Sequence, residues 1–198
     1  MPTSRLWCTF AFLLWLLVLA GQSVAAERKE WKMHTDCRYV AAEYNDGDSF
    51  RVRCPAKEFN LRLYFVDAPE TKMTYGDRVL EQSRHFGVTL DETLRAGDKA
   101  KERVREILRE PFSVHTREAT AGGGGKESRY YALVEVGGKR LAGILVAEGL
   151  ARTKGIYPNL PSGQKGKAYK EQLEALEDEA HHKRLGVWAS STKLEAQK

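Results

Sequence analysis

Two stretches of the chain alternate apolar and polar side chains on either side of a turn signal. The stretches Arg38 to Tyr44 and Ser49 to Cys54 flank Asn45-Asp46-Gly47, which predicts a β-hairpin ended by Pro55. A third strand is expected from Glu58 to Val66, with Leu61, Leu63 and Phe65 on one face and Arg62 and Tyr64 on the other. Arg62 and Asp67 have opposite parity on that strand. For both to reach one site, the strand must end or bulge before Asp67, and Pro69 favours an ending because it lacks a ladder donor and extends the residue before it.

The period then changes to that of helices. One is expected from Asp77 to Phe86, stopping at Gly87. A second is expected from Glu92 to Arg109, where Leu94, Ala100, Val104, Ile107 and Leu108 recur at helical spacing before Pro111. Phe112 to Glu118 reads as a strand and Ala119 to Lys126, with four consecutive glycines, as a flexible loop. Arg129 to Val136 is another strand, and Lys139 to Glu148 a short buried helix stopped by Gly149. After a loop from Gly155 to Gly166, a last helix from Lys167 to Arg184 carries Tyr169, Leu173, Leu176 and Ala180 on one stripe. Trp188 is expected to tuck back onto the core, ahead of a disordered tail over 189–198. Five strands grouped three plus two, with three to four helices, predict an α+β fold: a small closed five-stranded β-barrel of the OB type with helices on one side.

The N-terminus changes this picture. Arg5 precedes an apolar run from Leu6 to Ala20 that ends in Val24-Ala25-Ala26, the pattern of a signal peptide over residues 1–26. The run is short for a bilayer span of about 20 apolar residues, so cleavage and export are expected, to the periplasm or beyond the cell, without stable membrane association. Residues 27–36 read as a linker and 37–188 as one domain. Removing residues 1–26 takes away Arg5 and no acid, so the formal charge falls from +5 to +4. Such a balance suits an anionic polymer but does not identify one. Cys8 leaves with the export segment, and Cys37 and Cys54 remain on either side of the hairpin turn. An oxidising compartment and their shared parity predict a disulfide, with two buried free thiols as the alternative.

Candidate chemistry concentrates between Asn45 and Thr71. The turn delivers Asp48, and the end of the third strand delivers Arg62, Asp67 and Glu70. Carboxylate oxygens are the ligands a hard divalent cation takes, and a planar guanidinium matches phosphate oxygens in pairs. Residues of these types point to phosphodiester chemistry. The five histidines show no metal-ligand spacing with cysteine and read as surface or packing residues.

The order of these motifs resembles the staphylococcal nuclease (thermonuclease) family. Asp46-Gly47-Asp48-Ser49 is similar to its Asp-Gly-Asp-Thr turn, and Arg62-Leu63 through Val66-Asp67-Ala68-Pro69-Glu70-Thr71 to its central signature. Ser128-Arg129, Leu145 to Ala151 and Leu185-Gly186-Val187-Trp188 follow in the family's order, so the likeness runs from Tyr39 to Trp188. The resemblance implies one calcium ion held by Asp48, Asp67 and the backbone carbonyl of Ala68, with Glu70 nearby. It implies that Arg62 and Arg129 grip the scissile phosphate and that Glu70 orients or deprotonates the attacking water. It further implies a monomeric, sugar-nonspecific endonuclease on single-stranded or breathing double-stranded DNA and on RNA, leaving 3′-phosphorylated ends. Tyr157, Lys126 and Lys165 are the expected substrate contacts. The sequence departs from the family at Ala68 and Ser49, each in place of threonine, and at Gly155 and Glu127, where nucleotide-contacting tyrosines would stand. The stretch from Tyr75 to Glu92 is longer than the family needs. A barrel of this kind could also serve as a non-catalytic nucleic-acid-binding module.

Overall fold

The computed structural model describes residues 30–122 and 129–193. Strands β1 (Lys32–Val40), β2 (Ser49–Arg53), β3 (Glu58–Leu63), β5 (Phe112–Ala121), β6 (Arg129–Val136) and β7 (Lys139–Arg140) form one sheet in the order β3-β2-β1-β5-β6-β7. A parallel pairing of β3 with β6 closes this strongly curved sheet into the expected barrel. A second, two-stranded sheet joins β4 (Val66–Asp67) to β8 (Arg152–Thr153). Four α-helices lie among the described residues: α1 (Gly76–Phe86), α2 (Leu90–Ile107), α3 (Leu141–Ala147) and α4 (Gly166–His182).

The closing seam also positions the site. Asn60 pairs with Arg129 and Arg62 with Tyr131. Paired residues share a face, and so do residues two apart on one strand, so Arg62 and Arg129 leave the barrel on the same side. The strand carrying Arg62 ends at Leu63. Phe65 takes a positive φ of 76°, and the chain restarts as β4. This break lets Asp67 face the same way as Arg62 despite their opposite parity.

The barrel wraps around Phe50, Leu61, Leu63, Phe65, Val114 and Leu145, all essentially inaccessible to water. α2 begins with a reciprocal cap: Thr89 accepts from the backbone of Glu92, and the Glu92 side chain returns to the Thr89 backbone. Trp188 is buried as expected, in a smaller cluster where it meets Phe86 and Ala180 rather than against the barrel. No helix among the described residues is long and apolar enough to cross a membrane.

Several boundaries differ from the sequence reading. The segment read as a linker is strand from Lys32, because Lys32, Met33 and His34 pair with Thr116, His115 and Val114. β1 stops at Val40, short of the expected Tyr44. β5 continues to Ala121 because Thr120 and Ala121 pair with Tyr130 and Arg129, so the expected loop starts later. The rest of that loop lies outside the described residues. The tail expected from Ala189 is packed at its start: the Ser191 hydroxyl donates to the Phe86 carbonyl at 2.6 Å and the Thr192 amide to Gly87 at 2.8 Å. These contacts satisfy carbonyls left over at the C-terminus of α1.

Cys37 and Cys54 are joined by a disulfide, in register with the β1–β2 ladder. The bond spans 17 positions of sequence. Closing a loop of that size in the unfolded chain is worth about 3 kcal/mol. Reduction, or a Cys37→Ser/Cys54→Ser variant, is therefore expected to lower the urea midpoint by a corresponding amount; an unchanged midpoint would show that the bond contributes nothing to stability.

Candidate active site

The β1–β2 turn is built to aim one carboxylate inward. Asn45 donates to the Val40 carbonyl at 2.9 Å and accepts from the Arg51 amide at 3.1 Å, which fixes the start of the turn. Asp46 Oδ1 accepts the amides of Asp48 and Ser49 at 3.0 and 2.6 Å, an Asx turn. Asp48 is thereby buried, with Oδ2 accepting the Ala68 amide at 3.0 Å and Oδ1 the Ser49 hydroxyl at 2.7 Å. Only glycine fits at position 47, because a Cβ there would lie 2.7 Å from the Cβ atoms of both Ala68 and Ala100.

A second glycine brings α2 onto the segment that carries Glu70. A Cβ at Gly97 would collide with the backbone carbonyls of Glu70 and Pro69. Gly97→Ala should therefore push α2 away from this segment. We expect a loss of roughly 1–3 kcal/mol, as for overpacking elsewhere. A variant that melts at the wild-type temperature would contradict the contact.

The two arginines singled out by the sequence meet at one point. Arg62 donates through one terminal nitrogen to Ser49 Oγ at 3.3 Å and pairs with Asp48 Oδ1 at 3.1 Å. Its other terminal nitrogen donates to Asp67 Oδ1 at 3.1 Å. Arg129 donates to the same Ser49 hydroxyl at 3.1 Å and to the Gly122 carbonyl at 2.9 Å. Asp48, and after it Asp67, keep the Arg62 guanidinium firmly charged.

Asp67 sits at the centre of a network that the sequence does not announce. Its Oδ2 accepts from Arg152 at 2.9 and 2.7 Å and from Gln82 at 3.0 Å, while its Oδ1 takes Arg78 at 2.7 Å as well as Arg62. Arg152 is 2 % exposed and also bonds Glu81. That bond is the main reason the Glu81 carboxyl is pushed down to about 2. Burial drives the Asp67 carboxyl upward, but Arg152, Gln82 and Arg78 outweigh it and hold the group below its ordinary value.

Arg78 and Gln82 come from α1, the helix formed by the extra stretch after Tyr75. Four apart, they lie on one face of it. Gln82 accepts the Glu70 amide at 2.9 Å and donates to the Ala68 carbonyl at 2.9 Å, and Arg78 pairs with Glu70 Oε1 at 2.8 Å. Glu70 is thus gripped at both backbone and side chain. Its carboxyl is raised, first by burial, with Asp48 and Asp67 adding and Arg78 opposing. The Asp46 carboxyl is raised well above its ordinary value by burial and then by Asp48 beside it.

These groups open onto a cleft of about 740 Å³, lined among others by Asp46, Ser49, Arg62, Glu70, Arg78 and Arg129. Asp48 and Asp67 do not line it but pair with Arg62, which does, and the Ala68 amide bonds Asp48. Of the expected substrate contacts, Tyr157 does not line the cleft: its ring packs on Phe65 at 5.7 Å, with Lys170 over it. Lys165 is exposed at the entry to α4, also outside the cleft lining, and Lys126 lies outside the described residues.

Among the described residues, no group of three or more His, Cys, Asp or Glu forms a metal-holding cluster. The donor chemistry nevertheless fits a hard cation: the donors are oxygens, and Asp46 and Glu70 are raised by burial and then by neighbouring carboxylates, whose charge a cation would offset. The expected ligands Asp48, Asp67 and the Ala68 carbonyl lie together with Glu70 beside them, and would hold it. Asp48 meets Ser49, Arg62 and the Ala68 amide, Asp67 three arginines and Gln82, the Ala68 carbonyl Gln82, and Glu70 Arg78.

Compared with known families, residues 60–190 match the family model described as staphylococcal nuclease homologue. No curated protein matches the chain.

Proposed function

The chain belongs to the staphylococcal nuclease homologue family, and we propose that it is an exported, calcium-dependent endonuclease that hydrolyses phosphodiester bonds of DNA and RNA. The observation that carries this reading is the convergence of Arg62 and Arg129 on the Ser49 hydroxyl, beside Asp48 and Glu70. A phosphate seated at that point receives two guanidiniums on its non-bridging oxygens. Charge that builds on those oxygens in the transition state meets donors already in place, so little reorganisation is needed. Glu70 lies in the same cleft, where its carboxylate can orient the attacking water and accept its proton. A bound calcium ion supplies Lewis-acid polarisation of the phosphate and water. Contacts to phosphate carry no sequence information, so cleavage should be indifferent to base and tolerant of the sugar.

Cleavage of labelled single-stranded DNA and RNA, with calcium and with chelator, tests this reading. Cleavage of both polymers that stops with chelator, and that Glu70→Gln lowers by at least about two orders of magnitude, supports it. A protein that binds strands without shortening them in calcium would instead be the non-catalytic module. Undiminished cleavage by an Asp48→Asn/Glu70→Gln double variant would remove the assignment of the site.

A further inference from the structure

The chain has eight tyrosines. Six of them pack ring against ring: Tyr39 on Phe50, Tyr64 on Tyr131, Tyr130 on Phe59, and Tyr157 and Tyr169 on Phe65. The remaining two, Tyr44 and Tyr75, are 52 % and 49 % exposed. Both line the cleft that holds Arg62 and Arg129. Among the described residues, neither ring packs on another aromatic ring or lies beneath a cation.

Their placement is not incidental. Tyr44 leads into the turn that carries Asp48, and its hydroxyl donates to Asn60 Oδ1 at 3.0 Å, which pins the ring to the cleft wall. Asn60 is itself the β3 residue paired with Arg129. Tyr75 ends the short turn Met73–Tyr75 and directly precedes α1, the helix that brings Arg78 to Glu70. Two half-exposed aromatic rings therefore line the same cleft as the two converging guanidiniums. A ligand that uses both features needs flat rings joined by phosphates. In a duplex the base faces are covered by neighbouring bases; in a single strand they are free, and an aromatic side chain offers them a sequence-tolerant partner.

We propose that Tyr44 and Tyr75 form a base-stacking subsite that takes the unpaired bases flanking the phosphate in single-stranded DNA or RNA. This subsite rests on the nuclease reading only for which phosphate is cut; the binding itself does not need turnover. The test measures fluorescence anisotropy of a labelled thymidine decamer, and of the same backbone carrying abasic sites, on the Glu70→Gln protein in calcium.

Tyr44→Ala and Tyr75→Ala are each expected to weaken decamer binding by about five- to a hundredfold, with Tyr44→Phe and Tyr75→Phe restoring it. The abasic strand should bind the unsubstituted tyrosine background weakly, and the alanine variants no more weakly. Decamer affinity unchanged in both alanine variants, or abasic and normal strands bound alike, would overturn the subsite. The abasic comparison stands even if a variant fails to fold. Absence of cleavage by the wild-type protein would defeat the nuclease reading while leaving this binding result to be judged separately.

Discussion

Arg62→Ala is expected to lower kcat/KM on single-stranded DNA by roughly a hundred- to a thousandfold, the loss seen when a preorganised donor to a developing charge is removed. The substitution does two things at once. It takes one guanidinium from the Ser49 meeting point, and it leaves Asp48 and Asp67 without the cation that lies between them at 3.1 Å from each. The alanine variant should therefore also lose stability, and its activity alone would be ambiguous. Arg62→Lys separates the effects, because an ammonium keeps the charge near the carboxylates but cannot present the planar fork to a phosphate. A lysine variant that melts near wild type yet stays at least about tenfold impaired in turnover is the expected outcome. Full activity in the lysine variant would assign Arg62 to structure alone.

The larger stability effect is expected at Arg152. This side chain is 3 % exposed and donates twice to Asp67 Oδ2 while also bonding Glu81. Removing Arg152 takes two of the three donors from Asp67 Oδ2, leaving Gln82 there and Arg62 and Arg78 on Oδ1, at a cost of roughly 1–3 kcal/mol. Arg152→Met, which fills similar space, should show that loss in urea unfolding at neutral pH. The pH dependence follows from the direction of the Asp67 shift. Its folded value is depressed, so the stabilisation is fully present above the unfolded value near 4 and disappears as pH falls through the folded value. The gap between wild type and variant should therefore narrow in acid. A gap that is absent at neutral pH, or that widens in acid, would contradict the network.

The parts of this site that were legible in the sequence are those fixed locally. Asn45-Asp46-Gly47 signals a turn through its own side chains, and the turn alone aims Asp48. Parity required a break between Arg62 and Asp67, and Phe65 provides it with a positive φ. The remaining parts depend on contacts made far along the chain. Arg152 is 85 residues from Asp67. Nothing in its neighbourhood distinguishes it from a surface arginine. The helical period of α1 was visible, but period says only that Arg78, Gln82 and Phe86 share a side, not that this side covers a carboxylate cluster. β1 was placed late because Lys32 to Asp36 shows no clean alternation. Its pairing with β5 comes from the partner strand, with a bulge at Asp36, where φ is 53°.

The extra helix also changes how the family's machinery should be viewed in this chain. Asp67 is held by Gln82 and three guanidiniums, of which those of Arg62 and Arg78 line the cleft. Arg78, which touches both Asp67 and Glu70, ties these two carboxylates together.

The convergence of Arg62 and Arg129 is open to one decisive measurement: single-turnover cleavage of a labelled single strand by wild type, Arg62→Lys, Arg129→Lys and the double variant. If both guanidiniums hold one phosphate, their effects are coupled, and the double variant should be much less impaired than the product of the two single losses. Losses that simply multiply, or an Arg129→Lys protein that cuts at the wild-type rate, would show that the two arginines do not act on one phosphodiester.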